Sequence, residues 1–152
     1  MRYRKSRTLV NVLTDWLGAV AGWTLFNSYR KTHVDVLTYP EAPAHVWDQT
    51  FAYSVALIPL AWLLLYFLWG QYYDVLRRSR INELAQTFSQ TVVGVTCIFF
   101  IALLDDVVPR YQLYYKMYLY LLFCHFSITA LLRFILSSDL NRRIQNRKVG
   151  FN

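Results

Sequence analysis

Two ionisable side chains stand where the chain offers them no water. Asp15 lies inside the apolar stretch Thr8 to Tyr29, and Arg133 lies inside the stretch Met117 to Ser137. An ionised group inside hydrocarbon costs at least ~2.5–3.5 kcal/mol on the insertion scale unless it is paired or hydrated. At about 1.5 Å of rise per residue from Thr8, Asp15 sits ~10 Å deep, and Arg133 sits at a comparable depth counted back from Ser137. Mutual neutralisation is the chemistry open to them, and an Asp15–Arg133 ion pair joining the first and last stretches is predicted. The alternative sends the Arg133 head out to the lipid headgroups along its own stem, while Asp15 takes the Thr14 hydroxyl or a water. An Asp15 left unneutralised would instead suit a proton-coupled small-molecule transporter of four helices.

Other constellations are sparse. His33, His45 and His125 lie far apart, without the i, i+4 spacing of a metal-binding pair. Asp105-Asp106 is an acidic pair with no further oxygen ligands in view, and reads as the hydrated end of a helix. There is no G-x-S-x-G, no P-loop and no G-x-G-x-x-G. Cys97 and Cys124 fall within apolar stretches, where thiols act as small packing groups, and no disulfide framework or metal-binding spacing is present. No catalytic residue, metal ligand or cofactor site is therefore expected in this chain.

The elements that must position Asp15 and Arg133 are long apolar helices. Of 152 residues, 56% are hydrophobic and 18% aromatic, gathered in four blocks: Thr8 to Tyr29, Phe51 to Gly70, Phe88 to Leu104 and Met117 to Ser137. A helix needs ~20 mostly apolar residues to cross the hydrocarbon core. The third block is short, and its start at Phe88, Ser89, Gln90 and Thr91 is polar. The expected fold is all-α, an antiparallel bundle of four transmembrane helices forming one membrane domain.

Charge sets the orientation. Of the 16 Lys and Arg, eleven fall in the N-terminal tail, the second connection and the C-terminal tail, four in the other two connections, and Arg133 in a span. The positive-inside bias puts both termini and the second connection in the cytoplasm. It also accounts for the formal charge of +7 without a nucleic-acid partner, since basic tails are drawn to anionic lipid. The first stretch is too long for the apolar core of a cleavable signal and continues into Arg30-Lys31, so it reads as an anchor.

Finer features follow. Gly18 and Gly22 make a small-xxx-small pattern, a close-packing face for another helix of the bundle or for a second copy in a homodimer. Pro40 and Pro43 mark Lys31 to Thr50 as a turn-rich outer loop, and Pro59 should kink the second helix. Trp69, Tyr72 and Tyr73 are placed as an aromatic belt at the inner interface, and Tyr111, Tyr114, Tyr115, Tyr118 and Tyr120 at the outer one. Residues 77–88 carry apolar Ile81, Leu84, Ala85 and Phe88 on one face, as in an interfacial helix or a helical extension of the neighbouring spans. Residues 139–152 read as a basic cytoplasmic tail.

Several strings resemble one family. They are Thr14-Asp-Trp-Leu, Ala21-Gly-Trp-Thr-Leu-Phe26, Tyr29-Arg-Lys31, Arg77-Arg-Ser-Arg-Ile-Asn-Glu-Leu-Ala-Gln-Thr-Phe88, Phe99-Phe-Ile-Ala-Leu-Leu-Asp-Asp106 and Arg147-Lys-Val-Gly-Phe-Asn152. They resemble the amino-terminal membrane region of the polyprenyl-phosphate glycosyl-1-phosphate transferases, the large bacterial sugar transferases that initiate exopolysaccharide or O-antigen synthesis. The resemblance implies a bacterial inner-membrane location. It also implies that a Rossmann-like soluble domain and a catalytic domain, which move a sugar phosphate from a nucleotide sugar to undecaprenyl phosphate with magnesium, lie outside these residues. The chain has no Asp-Glu dipeptide of the kind that carries that reaction, so none of the family's catalytic residues transfers to it. The expectation is an anchoring, orienting and dimerising region, catalytically silent alone, with the lipid bilayer as its direct partner. A non-enzymatic membrane scaffold is the other reading.

Overall fold

A computed structural model describes residues 2–41, 47–72, 80–103 and 110–145, with side chains for 8–41, 47–72, 81–101 and 110–138. The side chains of the basic tails, and His45, Pro43, Tyr73, Arg77, Arg78, Asp105, Asp106 and residues 146–152, lie outside the described set. Four helices dominate: α1 (Arg2–Tyr29), α2 (Gln49–Leu68), α3 (Arg80–Ile98) and α4 (Tyr111–Gln145). Each contains a segment long and apolar enough to cross a membrane, and no strand occurs among the described residues. The protein is thus an all-helical chain with the composition of a multi-pass membrane protein.

The helices outrun the hydropathy blocks. After Tyr29 the chain continues as a π-helical turn, Arg30–Asp35, and a last α turn, Val36–Thr38, so the loop expected from Lys31 begins only at Tyr39. Local bonds hold this polar extension. Thr32 and Thr38 donate their hydroxyls to the carbonyls of Ser28 and Val34, Lys31 pairs with Asp35 one turn on, and Val34 is buried. Asp48 then caps α2 by accepting the Phe51 N–H at 2.7 Å. Residues 81–88 belong to the same helix as the third block, which ends in a π-helical turn, Phe99–Leu103. The segment is therefore an extension of the span, and the tyrosines from Tyr111 onward sit on the first turns of α4 rather than in a loop. Pro59 is accommodated inside α2 and is buried.

Packing runs α2 on α1, α1 on α4 and α4 on α3, with a narrow contact between α2 and α3. The buried core gathers Phe26, Trp62, Tyr66, Met117 and Leu121. Trp23 ties α1 to the start of α2 through a 2.8 Å bond to Ser54, and Tyr29 stacks on Tyr120 of α4 at 4.0 Å. Glycines permit the closest approaches. A Cβ on Gly22 would lie 3.3 Å from the His125 ring, one on Gly18 would lie 3.1 Å from the tip of Leu132, and one on Gly94 would overlap the Trp62 indole. The outer face of α2 leaves Leu57, Leu60, Leu64 and Phe67 exposed, an apolar stripe suited to lipid rather than to water.

Candidate functional site

The interior of this bundle is polar at one end. Asp15 and Arg133 come from the first and last helices, 118 residues apart, and both are about 4% exposed. Arg133 Nε donates to Asp15 Oδ1 at 3.0 Å and Nη2 donates to Oδ2 at 3.1 Å, a bidentate pairing of a planar fork with a carboxylate. The Tyr72 hydroxyl donates to Oδ2 at 3.1 Å, so both carboxylate oxygens are engaged. Arg133 Nη1 turns toward α3, donating to Thr87 Oγ1 at 2.7 Å and to Gln90 Oε1 at 3.2 Å. Gln90 in turn donates to Gln71 Oε1 at 3.3 Å. The guanidinium carbon lies 4.5 Å from the centre of the Tyr66 ring, whose negative face favours a cation. Burial at this level means that Arg133 does not reach out to the headgroups, and Asp15 is served by Tyr72 and Arg133 rather than by Thr14.

One pair of charges thereby touches all four helices. Asp15 stands on α1 and Arg133 on α4, Thr87 and Gln90 stand on α3, and Gln71 and Tyr72 stand just beyond α2. Gly18 and Gly22 lie on the α1 face that meets α4, next to Leu132, Thr129 and His125, so within this chain they serve the α1–α4 contact. A second buried group continues the polar interior. His125 is 1% exposed, its Nε2 lies 2.8 Å from the Tyr66 hydroxyl, and its ring stacks on Trp62 at 3.7 Å. Thr129 Oγ1 is buried there without a hydrogen-bond partner of good geometry.

Sequence reasoning placed Tyr72 in the inner aromatic belt, but the structure turns its hydroxyl inward to Asp15. The sequence assigns no role to Tyr66, Gln71 or Thr87, reads Gln90 only as part of the polar start of the third block, and weighs His125 only as a metal ligand. A usable signal existed for α3: Glu83, Thr87, Gln90, Thr91 and Gly94 recur at helical spacing through an otherwise apolar segment. At the edge of the network, Ser137 donates to Glu83 Oε2 and Thr87 donates to the Glu83 carbonyl at 2.7 Å. A cleft of about 10 Å³ opens there between α3 and α4, lined by Glu83, Leu84, Thr87, Ala130, Arg133 and Phe134.

The chemistry of this arrangement is fixation. A carboxylate that accepts three bonds and a guanidinium that donates four hold side chains of different helices in one fixed arrangement. The magnesium implied by the resemblance finds no oxygen cage in the network, where Asp15 is already committed, and no three His, Cys, Asp or Glu side chains converge among the described residues. At the opposite end of α1, Lys31 Nζ lies 2.9 Å from Asp48 and 3.3 Å from Asp35. The Lys31 ammonium and the Phe51 N–H both favour ionised Asp48 and hold its carboxyl below the usual range.

No protein-family model, no curated protein and no solved structure matches this chain.

Proposed function

We propose that this chain is the membrane-anchoring and orienting region of a polyprenyl-phosphate sugar-1-phosphate transferase of a bacterial inner membrane, an antiparallel four-span bundle with both termini cytoplasmic. The observation that carries the anchoring role is the Asp15–Arg133 clamp. It fastens all four helices with the ionisable groups of the interior already engaged, as suits a rigid support rather than a carrier that must take up and release protons. Reversed partner order supports the antiparallel arrangement: Asp15, Trp23 and Lys31 meet Tyr72, Ser54 and Asp48 in turn, while Gly18, Gly22 and Tyr29 meet Leu132, His125 and Tyr120. The excess of Lys and Arg in both tails and the second connection supports the orientation. The transferase assignment rests on the resembling strings. In this reading the sugar, the lipid phosphate and magnesium are handled by domains outside these residues, and dimerisation would use faces other than Gly18 and Gly22.

Two assays test it. In right-side-out vesicles, tags at Met1 and Asn152 should both be protected until the membrane is opened, and tags on opposite sides overturn the topology. Substituted for the membrane region of a transferase of that family, the chain should support release of UMP from a UDP-sugar in the presence of undecaprenyl phosphate, while the chain alone releases none. A chimera no more active than the same catalytic domain on an unrelated four-span anchor overturns the transferase assignment. Proton-coupled uptake that Asp15→Asn abolishes would overturn the anchoring role.

A further inference from the structure

We propose that α1, α2 and α3 build a receptor for a planar guanidinium that keeps its shape without Arg133, and that α4 docks into it as the part of the chain that carries the ligand. The inference rests on the bonds of the network and is independent of the transferase assignment. Each group that accepts from Arg133 is oriented by a neighbour outside α4. Asp15 Oδ2 is held by the Tyr72 hydroxyl at 3.1 Å. Thr87 gives its single hydroxyl proton to the Glu83 carbonyl at 2.7 Å, so its Oγ1 turns only lone pairs toward Arg133. The Gln90 amide donates from Nε2 to Gln71 Oε1 at 3.3 Å, which leaves its own Oε1 for Arg133 Nη1. Asp15, Thr87 and Gln90 are all buried, and a buried acceptor already fixed by a neighbour binds its cation with little ordering cost.

The backbone that carries these groups is also joined without α4. Gly70 takes the left-handed conformation, with φ 72°. The amides of Gly70 and Gln71 donate to the Phe67 and Tyr66 carbonyls at 3.0 and 2.9 Å, a capping turn that ends α2 and folds Gln71 and Tyr72 back into the bundle. Gln86 Nε2 donates to the Trp69 carbonyl at 3.4 Å, and Gly94 lets α3 rest on Trp62, so the narrow α2–α3 contact lies where the receptor is. Trp23 with Ser54 and Lys31 with Asp48 fasten α1 to α2. Ligand class follows from shape. Asp15 receives Nε and Nη2 side by side at 3.0 and 3.1 Å, Thr87 and Gln90 share Nη1, and the Tyr66 ring lies 4.5 Å from Cζ. A flat, delocalised cation fits that set, whereas an ammonium, with three donors on one atom, cannot serve the carboxylate and the α3 acceptors together. Asp15, Gln71, Tyr72, Thr87 and Gln90 all precede α4 in the chain, so they are synthesised before the arginine they receive.

Chemical rescue of the full-length Arg133→Ala chain in lipid bicelles tests the receptor, with methylguanidinium as the probe and methylammonium at equal concentration as its control. Millimolar methylguanidinium should restore at least half of the melting temperature that the substitution removes, because it binds the folded chain alone. Methylammonium should restore none, and the unaltered chain should respond to neither. Adding Asp15→Leu to Arg133→Ala should abolish the response. Gln71→Leu keeps the test available if the Arg133→Ala chain does not fold, since it leaves Arg133 in place and acts on it through Gln90. With the Gln90 amide released, rotation of the Arg133 guanidinium about its Cζ–Nη1 bond, read from ¹⁵N exchange, should become at least threefold faster. A receptor moulded by Arg133 itself would show no such change. No rescue of a folded Arg133→Ala chain, equal rescue by the two cations, or an unchanged rotation in Gln71→Leu overturns the proposal.

Discussion

Removing the Asp15 carboxylate is the perturbation that separates a clamp from an incidental contact. Asp15→Leu deletes the acceptor of two Arg133 bonds and of the Tyr72 hydroxyl, leaving a buried cation held by Thr87, Gln90 and the face of the Tyr66 ring. Breaking a buried pair from one side costs ~3–5 kcal/mol, and Arg133→Met should cost a similar amount because Asp15 is stranded in its place. Removing both charges together, Asp15→Leu with Arg133→Met, leaves no uncompensated charge. Thr87 retains its bond to the Glu83 carbonyl and Gln90 its bond to Gln71, so of the three neutral partners only the Tyr72 hydroxyl loses its one bond to the pair without another in place, roughly 1–3 kcal/mol. The double change should therefore be less damaging than either single one, with a coupling of at least ~3 kcal/mol by the same reasoning. Reversible unfolding in lipid bicelles, followed by circular dichroism for all four members of the cycle, gives that coupling directly. An ordinary interhelical hydrogen bond in a membrane averages only ~0.6 kcal/mol. A measured coupling at that level would refute the argument, because the two charges would then be solvated separately.

Four further outcomes follow from the packing. Alanine at Gly94 should destabilise most, because its Cβ meets the rigid Trp62 ring, alanine at Gly22 less, and alanine at Gly18 least, because there the obstacle is the movable tip of Leu132; the range should be up to ~3 kcal/mol, read from melting in detergent. Tyr66→Phe removes the hydroxyl at His125 Nε2 and should cost ~1–3 kcal/mol, with a perturbed imidazole ¹⁵N shift as its signature. Thr129→Val, where the hydroxyl has no partner of good geometry, should be neutral within ~0.5 kcal/mol in the same unfolding assay. Because the folded-state carboxyl of Asp48 is held below its unfolded value, its contribution is present above the ordinary carboxylate range and is lost as pH falls through the folded value; in melts from pH 6 to pH 3, Asp48→Asn should flatten that slope, by less than ~1 kcal/mol for so exposed a pair.

The parts of this molecule legible in its sequence are those whose cost in lipid is largest. Asp15 and Arg133 stand out because a charge inside an apolar run demands an explanation wherever it falls, and Gly18 and Gly22 because close helix approach requires small residues at fixed spacing. Thr87, Gln90 and His125 do not stand out, since neutral polar residues occur in many spans and their partners depend on helix rotation, a tertiary property. Tyr72 was ambiguous for a related reason: a phenol near a span end suits an interfacial belt and an inward hydrogen bond equally well. The extension through Thr38 escaped hydropathy because its polar residues are neutralised locally, by Lys31 with Asp35 and by threonine hydroxyls on backbone carbonyls.

Why the interior should be polar at all follows from the solvent. Between helices already in lipid, an apolar contact gains little over contact with acyl chains, so leucines cannot choose which face of a helix turns inward. The face of α3 that carries Thr87, Gln90, Thr91 and Gly94 is buried, while Phe88 and Val93 are exposed, the inverse of a soluble helix. Arg133 gives that face a reason to point inward, because only there do Thr87 and Gln90 meet a strong donor. Replacing both by leucine would raise the apolarity of α3 and yet remove what sets its rotation. The helix should then still insert, but cysteines placed at positions 87 and 93 should become equally reactive to a lipid-soluble maleimide. Retained protection of position 87 would mean that Gly94 against Trp62 suffices to orient α3 without the charged clamp.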